Sequence, residues 1–219
     1  LNAIADQAAI NSFSNQRTDT RLGSAPPAPP ATTPEGIPIW PAFTPRPALT
    51  GLAALTGLPA DAATRQRPIL AVKIDNYRLA RPQWSLEQAD AVIELNVEGV
   101  SRFVALFHSN VPAALGPVRS ARTADLDLLT AMNRPVFAFS GANPSVTAWV
   151  DAAGAAGQLV DFDAQHSPCY SRSPDRAGPH NLLLDGPCAL AASGTAGPAR
   201  PLWAIDGAWS PRWLPVDGQ

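Results

Sequence analysis

The sequence predicts an α/β fold: a layered mixed sheet with flanking helices, built as a single main domain. Short apolar, β-branched runs at 67–75, 91–97, 102–108 and 135–139 have the length and composition of strands. Stretches of helical character at 85–89, 120–132 and 145–152 alternate with them. Alternation of this kind favours strands and helices stacked in layers around one core.

The elements follow in chain order. Residues 1–47 read as a Pro-rich tether, with a short helix over Leu1–Phe13 and a polyproline-like spacer over Ala25–Pro34. Leu49, Leu52, Leu55 and Leu58 then recur at three-residue spacing, as in one short helix or a pair of turns. The α/β domain is assigned to 48–190. Arg67–Asp75 is its first strand, Asn76–Pro82 a loop, and Ser85–Ala89 a short helix with Ser85 as N-cap. Ala91–Val97 and Arg102–His108 are joined by the short link Glu98–Ser101, which predicts a hairpin. A loop containing Pro112 and Pro117 leads to a helix over Ser120–Met132. Pro135–Phe139 is a strand, Ser140–Pro144 a turn, Ser145–Ala152 a helix and Leu159–Phe162 a further strand. His180–Leu184 is a compact apolar run, and the Ala-rich stretch Cys188–Gly197 is a candidate helix. Residues 191–219 form an irregular Trp/Pro-rich tail, read as the start of a truncated second region. Trp203, Trp209 and Trp213 either cover apolar surface or form a sugar-stacking platform.

Composition narrows the function. The 219 residues carry 46% hydrophobic side chains, enough for one sizeable core, and a net charge of -2. With a sequence pI near 5.9, no nucleic-acid partner is expected. Lys73 is the sole lysine, so almost every positive charge is an arginine. No stretch is long and apolar enough to span a membrane, and Leu1–Arg21 has no signal-peptide core. Cys169 and Cys188 either form one disulfide, as suits an exported chain, or are separate thiols. No zinc-ligand spacing surrounds them, and no metal is assigned.

Three groups of residues could carry chemistry. In Gly116-Pro-Val-Arg-Ser-Ala-Arg122, Ser120 is a candidate N-cap, and Arg119 and Arg122 are spaced to share one face of the helix it would start. Such guanidinium forks suit phosphate or carboxylate, or they close an ion-pair network with Asp75, Glu94 or Glu98. Asp75 and Asn76 lie at a strand end, where α/β folds commonly place ligands. Glu94 and Glu98 share a face of a regular strand. They either pair with Arg102, Arg119 or Arg122 or hold a divalent cation beside a phosphate; no other cofactor is expected. His180, followed by Asn181, is either an acid–base group or a packed loop residue. No GxSxG or Walker sequence occurs.

Taken in order, Val72-Lys-Ile-Asp-Asn76, Ala80-Arg-Pro-Gln83, Glu94, Val97-Glu-Gly99, Arg102-Phe103, Phe107-His-Ser109, Gly116–Arg122, Ser140-Gly-Ala142 and Pro179-His-Asn-Leu182 resemble the YerB-like family of bacterial lipoproteins. The resemblance covers about Arg67–Leu184. It implies an extracytoplasmic protein, anchored to the cell membrane through a lipid that this chain does not carry. The family is a domain of unknown function, so activity is left open. The expected role is binding of an anionic envelope ligand or an envelope protein through Arg81, Arg102, Arg119 and Arg122. The alternatives are a metal-assisted transferase or hydrolase of a pyrophosphate-linked wall precursor, using Asp75, Glu94 or Glu98, and a structural scaffold in an envelope complex.

Overall fold

The computed structural model describes residues 31–40, 42, 51–97, 99–130, 132–194 and 196–199. The helix expected over Leu1–Phe13, the bulk of the proline spacer, Glu98 and the three tail tryptophans lie outside these residues.

A five-stranded mixed sheet has the order β2-β3-β1-β4-β5. Its strands are β1 (Leu70–Asp75), β2 (Ala91–Val97), β3 (Val100–Phe107), β4 (Val136–Phe139) and β5 (Val160–Asp163). The predicted hairpin forms: β2 pairs antiparallel with β3 from Ala91↔Leu106 to Val97↔Val100. β1 pairs antiparallel with β3 on one side and parallel with β4 on the other. β5 continues the parallel part. A second sheet pairs β6 (Tyr170–Arg172) with β7 (Leu182–Leu184). Of these two strands only the apolar run of β7 stands out in the sequence.

Both faces of the central sheet are covered, which is why every residue of β1 is buried. On one face Ile69, Ala71, Val104, Leu106, Phe137 and Phe139 meet α2 (Thr123–Leu129) and α3 (Pro144–Ala155) through Leu126, Leu129, Val146, Val150 and Ala153. On the other, Leu70, Val72, Ile74, Phe107, Val136 and Phe162 pack against Leu115, Val118, Leu182 and Leu184. Fully burying one such side chain contributes about 1.5–3 kcal/mol. α4 (Gly186–Ala192) lies beside β7 and is tied to the β6 side by the disulfide Cys169–Cys188. The Ala-rich helix therefore starts and stops before its predicted bounds. Pro187 fits its first turn, and the Asp185 side chain accepts from Cys188 N–H.

Residues 51–60 form turns closed by a Leu52↔Pro59 bridge, and they lead to α1 (Ala62–Gln66), capped by Asp61. That helix carries no apolar periodicity and was not expected.

Two caps differ from expectation. Ser85 adopts a left-handed conformation (φ 56°) before a 3-10 turn over Leu86–Gln88 and makes no capping hydrogen bond. The chain is pinned just ahead of it, where Trp84 N–H donates to Gly116 O. Ser120 is not an N-cap either. Residues 115–121 run extended instead, bonded on several sides. Asp75 N–H donates to Pro117 O, Arg119 N–H to Lys73 O, Val118 N–H to Leu182 O and Ala121 N–H to Gly141 O. Helix α2 begins only at Thr123, where Asp125 Oδ2 accepts from the Arg122 N–H at 2.8 Å. Tertiary backbone pairing outweighs the helical pattern of 120–122.

Candidate functional site

Asp75 ends β1 at the carboxyl edge of the parallel β1–β4 pair, the usual ligand edge of α/β sheets. Its side chain is fully buried, yet it is the hub of a charged cluster. Oδ1 accepts from Tyr77 N–H at 2.9 Å and lies 3.9 Å from Arg102 Nη1. Oδ2 lies 3.0 Å from Arg119 Nε and 2.7 Å from His180 Nδ1. A buried carboxylate needs such partners, because desolvation without them is costly.

Each partner is placed by its own element. Arg102 faces Asp75 across the β1–β3 ladder. Arg119 is delivered by the extended segment 115–121, held between β1 and Ser140, whose N–H donates to Arg119 O. His180 arrives on the turn before β7, where its N–H donates to Ala177 O. Tyr77 stacks on the imidazole, with centroids 5.3 Å apart and planes 14° from parallel. The Arg81–Pro82, Gly116–Pro117 and Gly178–Pro179 peptide bonds around the cluster are cis.

The distal atoms matter most. Among the described residues, nothing hydrogen-bonds to the Nη groups of Arg119 or to Nε2 of His180. Their side chains are 25% and 13% exposed, so both retain access to solvent. One carboxylate oxygen thus braces a guanidinium and an imidazole while leaving a fork and a ring nitrogen available.

Asn76, Arg81 and Glu94 form the adjoining rim. Asn76 Nδ2 donates to Ser101 Oγ at 2.6 Å and Glu94 Oε1 at 3.2 Å. Its Oδ1 accepts from Arg81 Nη2 at 2.7 Å. Gln83 Nε2 donates to Asp75 O, closing the 76–83 loop. Arg81 is thereby committed largely to Asn76, and Arg176 pins the same loop by donating to Ala80 O and Pro82 O while lying 4.0 Å over Trp84.

Three expected members fall elsewhere. Arg122 does not share a helical face with Arg119, because neither lies on the helix; an odd spacing along extended chain sends side chains to opposite sides. The Arg122 guanidinium instead acts on the buried Lys73–Asp125 pair. Ser120 Oγ donates to Ser140 O. Asn181 is buried, donating to Ser173 O and accepting from Arg172, so it shapes the turn beside His180. Glu98, expected to share a strand face with Glu94, lies outside the described residues. Among the described residues no three His, Cys, Asp or Glu side chains are grouped to hold a metal ion.

Sequence reasoning missed the Asp75–His180 pairing, which joins residues 105 apart in the chain, and it missed Tyr77. No local pattern links these positions. It also passed over Lys73, although a lone lysine inside an apolar strand calls for a buried counter-charge.

Fold and cluster together define a mixed α/β domain whose buried strand-end carboxylate presents an arginine fork and an imidazole. The chain belongs to the family described as Protein of unknown function (DUF3048) N-terminal domain, whose model matches residues 55–198. It is 36% identical over 132 residues to a protein of Bacillus subtilis (strain 168) named "Putative lipoprotein YerB". That alignment covers 59% of this chain and 38% of the relative. The crystal structure of YerB protein from Bacillus subtilis superposes with a TM-score of 0.60 at 29% identity. It is matched over 68% of this chain and 53% of that one.

Proposed function

We propose that this domain is the extracytoplasmic part of a lipid-anchored envelope protein and that it binds a phosphate- or carboxylate-bearing ligand at Arg119 and His180. The location rests on the lipoprotein name of the relative and on the Cys169–Cys188 disulfide, which suits an oxidising compartment. The binding reading rests on one observation: Asp75 Oδ2 holds Arg119 by Nε and His180 by Nδ1, leaving the arginine fork and Nε2 without a protein partner among the described residues. A guanidinium fixed through Nε offers its remaining N–H groups in the planar geometry that anion oxygens accept. Arg102 adds positive charge beside the same carboxylate. Regulation of an envelope process through such a ligand, or through an acidic segment of an envelope protein, follows from the same chemistry.

Calorimetric titration of the chain with inorganic pyrophosphate, with and without magnesium, tests this reading. Arg119→Ala should weaken binding about ten- to a hundred-fold, the loss of a charged hydrogen-bonding group. Arg122→Ala should change it far less. Equal binding by the wild type and Arg119→Ala, or none by the wild type, would leave the cluster as a scaffold that closes the end of β1.

A further inference from the structure

We infer that His180 is the general base of a water-dependent hydrolysis of a phosphate diester or anhydride, with Asp75 as its positioning residue. This rests on the anion site proposed above and extends it from binding to reaction. Asp75, as a carboxylate, can only accept at Oδ2, so the neutral imidazole carries its proton on Nδ1, 2.7 Å away. The lone pair then lies on Nε2, the nitrogen with no protein partner among the described residues. The ring is held three ways: by Asp75, by the stacked face of Tyr77 and by its backbone N–H on Ala177 O. A base held in one tautomer and one orientation is what proton transfer in a transition state requires.

The electrophile follows from Arg119. Its Nε shares Oδ2 with His180 Nδ1, so these two nitrogens lie no more than two hydrogen-bond lengths apart. An oxyanion taken by the fork is held at the same carboxylate that orients the imidazole. The nucleophile is assigned to water, to which the His180 side chain is 13% exposed. The step balances without any co-reactant. Nε2 takes a proton from water as the water oxygen bonds to phosphorus. The bond from phosphorus to the leaving oxygen breaks on the opposite side, that oxygen departs as the anion or takes a proton from solvent, and the imidazolium returns its proton to water. Arg119 holds the charge that gathers on the equatorial oxygens.

The test uses the full chain with bis(4-nitrophenyl) phosphate as the diester and inorganic pyrophosphate as the anhydride, alongside phosphate-binding titrations. Turnover of either is expected. His180→Gln should lower kcat at saturating substrate about a hundred-fold or more with circular dichroism unchanged. Asp75→Asn should lower kcat and move the pH profile, because the Nδ1 proton loses its anionic acceptor, whereas a purely structural role would leave the profile in place. If phosphate binds through Arg119 but neither probe is turned over, or if His180→Gln hydrolyses them as fast as the wild type, the hydrolytic inference is overturned and the binding site stands. If phosphate does not bind at all, both fall together.

Discussion

Lys73 Nζ lies 2.5 Å from Asp125 Oδ1, and both side chains are completely buried. Burial drives the lysine below its ordinary range and the aspartate above its own, and each pulls the other back towards its charged form. The pair joins the centre of β1 to the first turn of α2, and Lys73 O accepts from Arg119 N–H. Removing one partner strands the other in a dry interior. Asp125→Ala or Lys73→Ala should therefore cost about 3–5 kcal/mol in urea denaturation, and Lys73→Met with Asp125→Leu should recover most of that loss. A loss of under about 1 kcal/mol in the single variants, the scale of an exposed ion pair, would contradict this.

The Cys169–Cys188 bond closes a stretch with a sequence separation of 19 that contains β6, the His180 turn and β7. Constraining the unfolded chain over such a loop contributes about 3 kcal/mol. The double Cys→Ser variant should lose about that much on thermal or urea denaturation. It should also bind pyrophosphate more weakly, since the turn carrying His180 loses its tether to α4. Unaltered stability in the variant would place the constraint elsewhere in the fold.

Gly116 shows where an extra carbon cannot be accommodated. It sits at φ 153°, and a Cβ there would come 2.7 Å from Leu182 O. That oxygen accepts from Val118 N–H, so relieving the clash breaks the pairing that positions Arg119. Gly116→Ala should cost about 2 kcal/mol or more and weaken anion binding. Gly154 lies inside α3 with its nearest contact at 4.0 Å, and Gly154→Ala should raise stability by about 0.5–1 kcal/mol. Melting curves of the two variants moving in the same direction would refute the contrast.

His108 supplies an acid-sensitive element away from the site. It is fully buried, and its backbone N–H, like that of Ser109, donates to Asp90 Oδ2. Burial lowers the imidazole from its ordinary value of 6.5, against the opposing pull of Asp90. The folded state thus binds this proton more weakly than the unfolded chain does. Its contribution to stability is intact above an ordinary histidine pKa and is lost as pH falls through the lowered folded value. Urea midpoints should decline as pH drops below about 6.5, and His108→Phe should flatten that slope. An unchanged slope in the variant would assign the acid sensitivity to other groups.

Much of this architecture is legible in the chain itself. The apolar runs around Leu70, Ile93, Val104, Phe137 and Phe162 identify their strands because side-chain burial on a two-sided sheet imposes composition locally. The short link after Val97 identifies the hairpin, and the motif order identifies the family. Asp75, Arg102, Arg119 and His180 could each be nominated from residue type and position. Their assembly could not. Arg119 and Arg122 share a face only if 120–122 is helical, and that choice is made by backbone partners at Lys73, Leu182 and Gly141, which are remote in sequence. The pairing of Asp75 with His180 is likewise set by where β7 docks, not by any local pattern. Residue type and periodicity therefore determined the strands, the family and the candidate charges. Only tertiary structure decided which charges meet on one buried carboxylate, because hydrogen-bond satisfaction of a buried group is a property of the whole packed chain.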